Sequence, residues 1–313
     1  MKIAHISDLH LDQKYRSEYY KKTIELFEYI TSGSYDHIII SGDITDNTDP
    51  QAFKVARNLF RKFGVLDKRK LTVVPGNHDI YGGVQLAEDI INFPSKCIRT
   101  DYKLKLREFR FWFNELYDDN TSYPTPFIKE FDECVIIGLN SNAEYSYIKN
   151  PLASMGKIPA SELQWLEKTL DKNYKKLRIV VTHHHFTNTP VINGNCNYLW
   201  TKIETHTMKL RKKKNVIRKF IDNDIKLILH GHLHESAEYI KKGLRFINAG
   251  GSVLGEISKC TVSFIEISGE IKTRIESFSS GTVYSNPLVR RFTPILFDEK
   301  GDPLTSTSHT FLN

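Results

Sequence analysis

The chain has 313 residues, 40% of them hydrophobic and 12% aromatic, which is enough apolar material for a sizeable core. The net charge of +7 would suit an anionic partner, but much of the excess is scattered lysine, so nucleic-acid binding is compatible with the charge and not required by it. The four cysteines form no C-x-x-C pair, and there is neither an apolar leader nor a run of about 18 apolar residues, which argues against a zinc knuckle, a disulfide framework and a membrane span. We therefore expect a cytoplasmic, reduced enzyme.

Short apolar runs alternate with longer amphipathic segments along the chain, which is the pattern of an α/β fold. The predicted strands are 2–7, 37–41, 71–74, 134–139, 177–182, 225–229 and 244–248, followed by a hairpin at 261–278. The predicted helices are 17–31, 50–63, 103–116, 161–173 and 213–222. Ser161, followed three residues later by Gln164, predicts a capping box for the fourth helix.

The region 83–125 is the least strand-like part of the chain and the richest in aromatic residues. Two interpretations are open for it: a helical cap inserted over one end of the sheet, or a core helix with Phe109, Trp112 and Phe113 facing inward. The predicted organisation is one domain at 1–278 and a C-terminal tail at 279–313. The tail has three open interpretations: a partner surface, a lid or a loosely ordered terminus.

Five predicted strands end in side chains that can bind metal ions. Open α/β sheets form their ligand crevices at the carboxyl ends of the strands, so we expect these side chains to lie together. Each pair alone has an ordinary explanation, such as turn capping by Asp8, but His232 and His234 in an extended segment would face the same side. The ordered set is Asp8 and His10; Asp43 and Asp46; Asn77, His78 and Asp79; His183, His184 and His185; and His230, His232 and His234.

Imidazole, carboxylate and amide oxygen form a mixed donor set. Such a set suits Mn, Fe or Zn better than the all-oxygen sites of Ca or Mg. Two such ions about 3.5 to 4 Å apart can hold a hydroxide and clamp the attacking and leaving oxygens of a displacement at phosphorus. A site of this kind needs a short carboxylate between the ions, and Asp43, which follows a glycine, is the natural candidate.

These motifs, in this order, resemble the calcineurin-like metallophosphoesterase superfamily from residue 2 to about 278. The resemblance implies a four-layer αββα sandwich, in which two mixed β-sheets are flanked by helices and the site lies at one edge. It also implies two divalent metal ions, Mn, Fe or Zn, whose identity the sequence does not specify. One ion would be bound by Asp8, His10, Asp43 and His234, and the other by Asp43, Asn77, His183 and His232.

The resemblance further implies that His78 protonates the leaving oxygen while Asp79 fixes its tautomer. Asp46 is expected beside the metal ligands, and a second hypothesis is that it contacts substrate. We expect His184 to point away from the site. We hypothesise that His185 reaches a substrate phosphate, the alternative being an exposed loop histidine, and we leave His230 in the core.

The segments "ISDLHL" and "GNHD" resemble the cyclic-nucleotide phosphodiesterase branch of the superfamily. This favours a phosphodiesterase that hydrolyses a small, nucleotide-like phosphoester with a hydroxide bridging the two ions. The alternatives are a phosphomonoesterase, a DNA or RNA nuclease of the repair type, a lipid-precursor pyrophosphatase and a non-catalytic scaffold. The short segment after Phe278 counts against the nuclease, and the complete ligand set counts against the scaffold. The oligomeric state is left open.

Overall fold

The computed structural model describes residues 1–12, 14–84, 87–118, 121–170, 175–187, 208–254, 259–279 and 295–296. A five-stranded sheet contains β1 (Lys2–Ile6), β2 (His37–Ile40), β3 (Leu71–Val73), β10 (Lys259–Ile267) and β11 (Ile271–Ser279), in the order β11-β10-β1-β2-β3. Strands β1, β2 and β3 pair in parallel, while β10 pairs antiparallel with both β1 and β11. The sheet is therefore mixed, as predicted.

A seven-stranded sheet is built from the middle and later parts of the described chain. Its strands are β4 (Phe127–Glu130), β5 (Cys134–Gly138), β6 (Leu177–Val181), β7 (Leu227–His230), β8 (Ala237–Lys241), β9 (Leu244–Asn248) and β12 (Ile295–Leu296), in the order β12-β8-β9-β7-β6-β5-β4. Strands β5, β6, β7 and β9 are parallel, and β4 and β8 pair antiparallel with their chain neighbours. The sequence did not predict β4, β8 or β12.

The helices are α1 (Ser17–Ser32), α2 (Pro50–Lys62), α3 (Asn77–Tyr81), α4 (Ala87–Arg99), α5 (Tyr102–Trp112), α6 (Ala160–Thr169) and α7 (Lys213–Asp222), with a 3₁₀ turn at Asn114–Leu116. The capping box predicted at Ser161 is wrong, because α6 begins one residue earlier and its N-cap is Pro159, which offers no side-chain bond. The end of the predicted helix, at 171–173, lies outside the described residues. Helices α3 and α4 were not predicted.

Three hydrophobic clusters join these elements into layers. Ile39 and Ile265 of the five-stranded sheet pack against Ile136 and Ile179 of the seven-stranded sheet, so the two sheets lie face to face. On the outer face of the five-stranded sheet a second cluster contains side chains of α1, α2 and α5, and on the outer face of the other sheet a third contains side chains of α6 and α7. The predicted four-layer αββα fold is confirmed.

Helix α5 contributes to the core in the region 83–125. Phe109 and Phe113 are fully buried in the cluster that contains α1 and α2, and Trp112 packs against it while partly exposed. Helix α4 leaves Ile91 exposed. The domain boundary at 278 and the cap assignment stay predictions, and most of the proposed tail, 280–294 and 297–313, lies outside the described residues.

None of the helices in the described ranges combines the length and the apolar character needed to cross a membrane.

The two phenylalanines at 109 and 111 provide a matched test of this packing. Phe109→Ala empties a fully buried position and should lower the free energy of unfolding by about 3 to 5 kcal/mol. Phe111 lies on the same helix but is 70% exposed. Phe111→Ala should therefore change the free energy of unfolding by less than about 0.5 kcal/mol. Urea denaturation of both variants measures the difference, and equal losses would contradict the assigned orientation of α5.

Candidate metal centre

The carboxyl ends of the parallel strands of both sheets meet at one edge, and the loops that follow them are hydrogen-bonded to each other. The Asp8 amide donates to the Gly42 carbonyl over 3.1 Å, and the His10 amide donates to the Asp43 carbonyl over 3.0 Å. Between β6 and β7 the Gly231 amide donates to the His183 carbonyl over 3.0 Å. The His78 amide donates to Asp43 Oδ1 over 2.8 Å and the His232 amide donates to Asp8 Oδ2 over 3.1 Å, so the five motifs are joined at a single edge.

Several of these loop residues have a left-handed backbone. The φ angles are 54° at Asp8, 44° at His10, 50° at Asp43 and 71° at His232. Non-glycine residues rarely adopt this conformation, although Asp and His tolerate it better than most, and it is found preferentially at functional sites. Four of the eight non-glycine residues with positive φ in the described ranges are therefore candidate metal ligands.

A first donor group consists of Asp8, His10 and His234, with Asp43 beside it. His10 Nε2 lies 3.8 Å from Asp8 Oδ1 and 3.8 Å from Asp43 Oδ2, and His234 Nε2 lies 3.8 Å from Asp8 Oδ1. Two ligand atoms that each lie about 2.1 Å from one ion are separated by roughly 3 to 4 Å. Asp8 Oδ1 and His10 Nε2 are buried without a hydrogen-bond partner, which leaves their lone pairs available to such an ion.

A second donor group surrounds His183 Nε2. Asp43 Oδ2, Asn77 Oδ1 and His232 Nδ1 lie 3.2, 3.1 and 3.0 Å from this nitrogen. His183 Nδ1 is 2.9 Å from the Ser41 carbonyl oxygen, which can only accept, so in the neutral ring the proton is on Nδ1 and Nε2 presents a lone pair. The lone pairs of Asp43 Oδ2 and Asn77 Oδ1 would then face that of Nε2, and a cation between them would remove the repulsion.

Electrostatics favour a positive charge at both groups. Burial would lower the pKa of His183, but the Asp43 carboxylate outweighs it and raises that pKa to about 9. Burial would also lower the pKa of His10, but the hydrogen bond to Asp46 and the nearby carboxylates of Asp8 and Asp43 raise it to about 10. In the absence of metal, protons bound to these imidazoles compensate the buried carboxylates, and a divalent ion would replace them.

Glycines allow the loops to approach the carboxylates this closely. A Cβ atom on Gly231 would lie 1.9 Å from Ser7 Oγ and 2.5 Å from Asp8 Oδ2. A Cβ atom on Gly76 would lie 2.1 Å from Asp43 Oδ1. Any larger residue at either position would displace a carboxylate of the donor groups.

His78 lies at the rim of the site, and its partner differs from the expected one. Its Nδ1 is 3.0 Å from Asp46 Oδ1, and its side chain is 27% exposed. Asp79, which was expected to hold this ring, instead accepts from the Thr45 amide over 2.9 Å and from the Gly76 amide over 2.9 Å. Successive side chains on a helix point in directions about 100° apart, so Asp79 of α3 faces the loop after β2 while His78 faces the site.

Asp46 connects three side chains around the rim. Besides His78 it binds His10 Nδ1, at 2.9 Å, and forms an ion pair with Arg16. Because a carboxylate only accepts hydrogen bonds, both imidazoles carry a proton on Nδ1, and His10 turns Nε2 toward Asp8 and Asp43. Asp46 therefore fixes the tautomer of a candidate ligand and of the rim histidine together, a double role that the sequence did not predict.

The histidines that follow the first one in "THHHF" are buried. His184 Nδ1 lies 3.0 Å from Ser141 Oγ, and the ring packs against His232 of the second donor group with centroids 4.4 Å apart, so it is not directed away from the site as expected. His185 is 1% exposed and stacks on His232 with ring centroids 6.1 Å apart. His230 is buried and its Nε2 lies 2.8 Å from the Tyr239 hydroxyl. His185 is therefore not the exposed loop histidine of the alternative interpretation, and its contact with substrate stays a prediction.

Comparison with known proteins adds a family to this geometry, since residues 1–236 match the family model described as calcineurin-like phosphoesterase. The chain belongs to this family. Two curated relatives are named as phosphodiesterases. A probable cyclic nucleotide phosphodiesterase of Coxiella burnetii is 34% identical over 83 residues, which are 25% of this chain and 32% of the relative. A cAMP/cGMP dual specificity phosphodiesterase of Mycobacterium tuberculosis is 26% identical over 242 residues, 75% of this chain and 62% of the relative.

The chain thus spans less than two thirds of the length of either curated relative.

Among solved structures, a dimetal phosphatase from Danio rerio superposes with a TM-score of 0.54 at 11% identity, covering 92% of this chain and 98% of that one. A purple acid phosphatase from yellow lupin (Lupinus luteus) gives a TM-score of 0.54 at 9% identity, covering 99% of this calcineurin-like chain and 57% of the other. At these identities the superpositions show a shared fold.

Proposed function

We propose that this calcineurin-like protein is a two-metal phosphodiesterase that hydrolyses a small, nucleotide-like phosphodiester. The observation that carries the proposal is the position of Asp43 Oδ2, which lies 3.8 Å from His10 Nε2 and 3.2 Å from His183 Nε2. One carboxylate oxygen is thus within reach of both donor groups. When bound there, two divalent ions would supply Lewis acidity and lower the proton affinity of water.

The donor sets support an assignment of ligands to each ion. Asp8, His10, Asp43 and His234 would hold one ion, and Asp43, Asn77, His183 and His232 would hold the other. Each set mixes imidazole nitrogen with oxygen, a combination that favours Mn, Fe or Zn.

His78 is the residue we assign to proton transfer. Its Nδ1–H donates to Asp46, so Nε2 is the atom that would give a proton to the leaving oxygen of the substrate. The Asp46 carboxylate would fix the orientation of the ring through this bond. Asp79 would act at a distance, by holding the loop after β2 that carries Asp46.

The proposed substrate class is supported by the two curated relatives, which are both named as cyclic nucleotide phosphodiesterases. The fold alone would suit a phosphomonoesterase equally well, and the nuclease and pyrophosphatase hypotheses share the same metal chemistry. A phosphodiesterase and a phosphomonoesterase differ in whether they prefer diesters or monoesters. This preference can be measured with simple aryl esters.

With manganese-loaded protein, kcat/KM for bis-p-nitrophenyl phosphate should be well above that for p-nitrophenyl phosphate. Asp43→Ala should lower kcat by at least about 10²-fold, because both ions lose a donor. Asp118→Ala, which removes an exposed aspartate paired with Lys68, is the matched control and should retain full activity. A preference for the monoester would instead identify a phosphatase, and an active Asp43→Ala variant would refute the shared ligand.

His78→Ala should slow substrates according to how basic their leaving oxygen is. For a 3′,5′-cyclic nucleotide, whose alkoxide leaving group needs a proton, kcat should fall by about 10² to 10⁴-fold. For the nitrophenyl diester the loss should be much smaller, and the metal content should not change because His78 is not in either ligand set. Equal losses for the two substrates would contradict proton donation by His78.

A further inference from the structure

A polar pocket of about 160 Å³ opens beside His78. It lies between the loop before α1, the loop after β2 and one face of α4. A larger cavity, of about 330 Å³, is at the opposite end of the five-stranded sheet, against Lys2 and Phe264, and is remote from both donor groups. The side chains that line the smaller pocket are Tyr15, Asn47, Asp89, Asn92, Phe93 and Lys96.

This pocket is continuous with the rim of the metal centre. Asn47 follows Asp46 directly in the chain, and Gly83, which also lines the pocket, donates its amide to the Asp46 carbonyl over 2.8 Å. A Cβ atom on Gly83 would lie 2.7 Å from the His78 ring. The lining of the pocket and the His78 ring therefore meet at Gly83.

Lys96 is the unusual member of the lining. Its amine is 3.3 Å from Asn47 Oδ1 and close to Gly82, where a Cβ atom would lie 2.6 Å from Nζ. A surface lysine normally extends its amine into water, but that of Lys96 turns inward, and burial lowers the pKa of the group. The lost hydration would be offset by a ligand atom that accepts a hydrogen bond.

We infer that this pocket binds the base of the nucleotide substrate and that Lys96 is its specificity-determining contact, an inference that rests on the proposed function. His78 gives its proton to the leaving oxygen, so the rest of the leaving group, the ribose and its base, extends toward the side of His78 where the pocket opens. Tyr15 and Phe93 offer aromatic surface for a flat ring. The Lys96 amine offers a donor to the ring nitrogens and carbonyls of a base edge.

The test compares substrates with and without a base. Lys96→Met keeps the length of the side chain but removes its charge and hydrogen bonds, and it should raise KM for 3′,5′-cyclic GMP and cyclic AMP by about tenfold or more. The effect on bis-p-nitrophenyl phosphate, which has no base, should be several times smaller. Lys96→Arg should recover part of the loss. The control is Lys105→Met. Lys105 is a partly buried lysine that pairs with Glu108 on α5, and its substitution should leave KM for all three substrates unchanged.

The outcomes separate this inference from the proposed function. Equal changes for all substrates, or no change for any, would overturn the role of Lys96, and so would a wild-type protein that hydrolyses the aryl diester but no cyclic nucleotide. A wild-type protein that hydrolyses no phosphoester would overturn the proposed function before any Lys96 variant is made. In that case calorimetric binding of cyclic GMP to wild type and Lys96→Met still tests the pocket, and equal affinities would refute it.

Discussion

The buried negative charge of Asp43 is the constraint on which the rest of the site depends. Its carboxylate is almost fully enclosed, accepts the His78 amide over 2.8 Å and faces the rings of His10 and His183. An ionised carboxylate is unstable in such a place unless positive charge lies against it. The imidazoles of His10 and His183, which follow strands of different sheets, supply this positive charge when they are protonated. Two divalent ions would supply more of it.

The architecture explains how one carboxylate can serve both sheets. The sheets pack face to face through apolar side chains such as Ile39 and Ile179, which brings the carboxyl ends of β2 and β6 together. Glycines at 76 and 231 leave room for the loops to touch the carboxylates. The helices cover the outer faces, so the chemistry is confined to one edge, and the strained left-handed residues there are held by the packed sheets behind them.

The hydrophobic periodicity of the sequence predicted the helices and strands in which it is strong and missed those in which it is weak. Helix α7 has the predicted bounds, whereas β4 is a short, partly exposed strand, and α4 contains Pro94, a residue that argues against a helix. The candidate ligands could be found because they follow buried strands in order. The pairing of His78 with Asp46 could not, because it depends on the direction in which α3 turns its side chains, and chain adjacency favoured Asp79 instead.

The most direct test of the shared carboxylate is a crystal structure of the manganese-loaded protein with anomalous diffraction at the manganese edge. We expect two anomalous peaks about 3.5 to 4 Å apart. Asp43 should bridge them, with the imidazoles of His10 and His234 on one side and those of His183 and His232 on the other. A single peak, or two peaks too far apart to share Asp43, would contradict the two-metal centre.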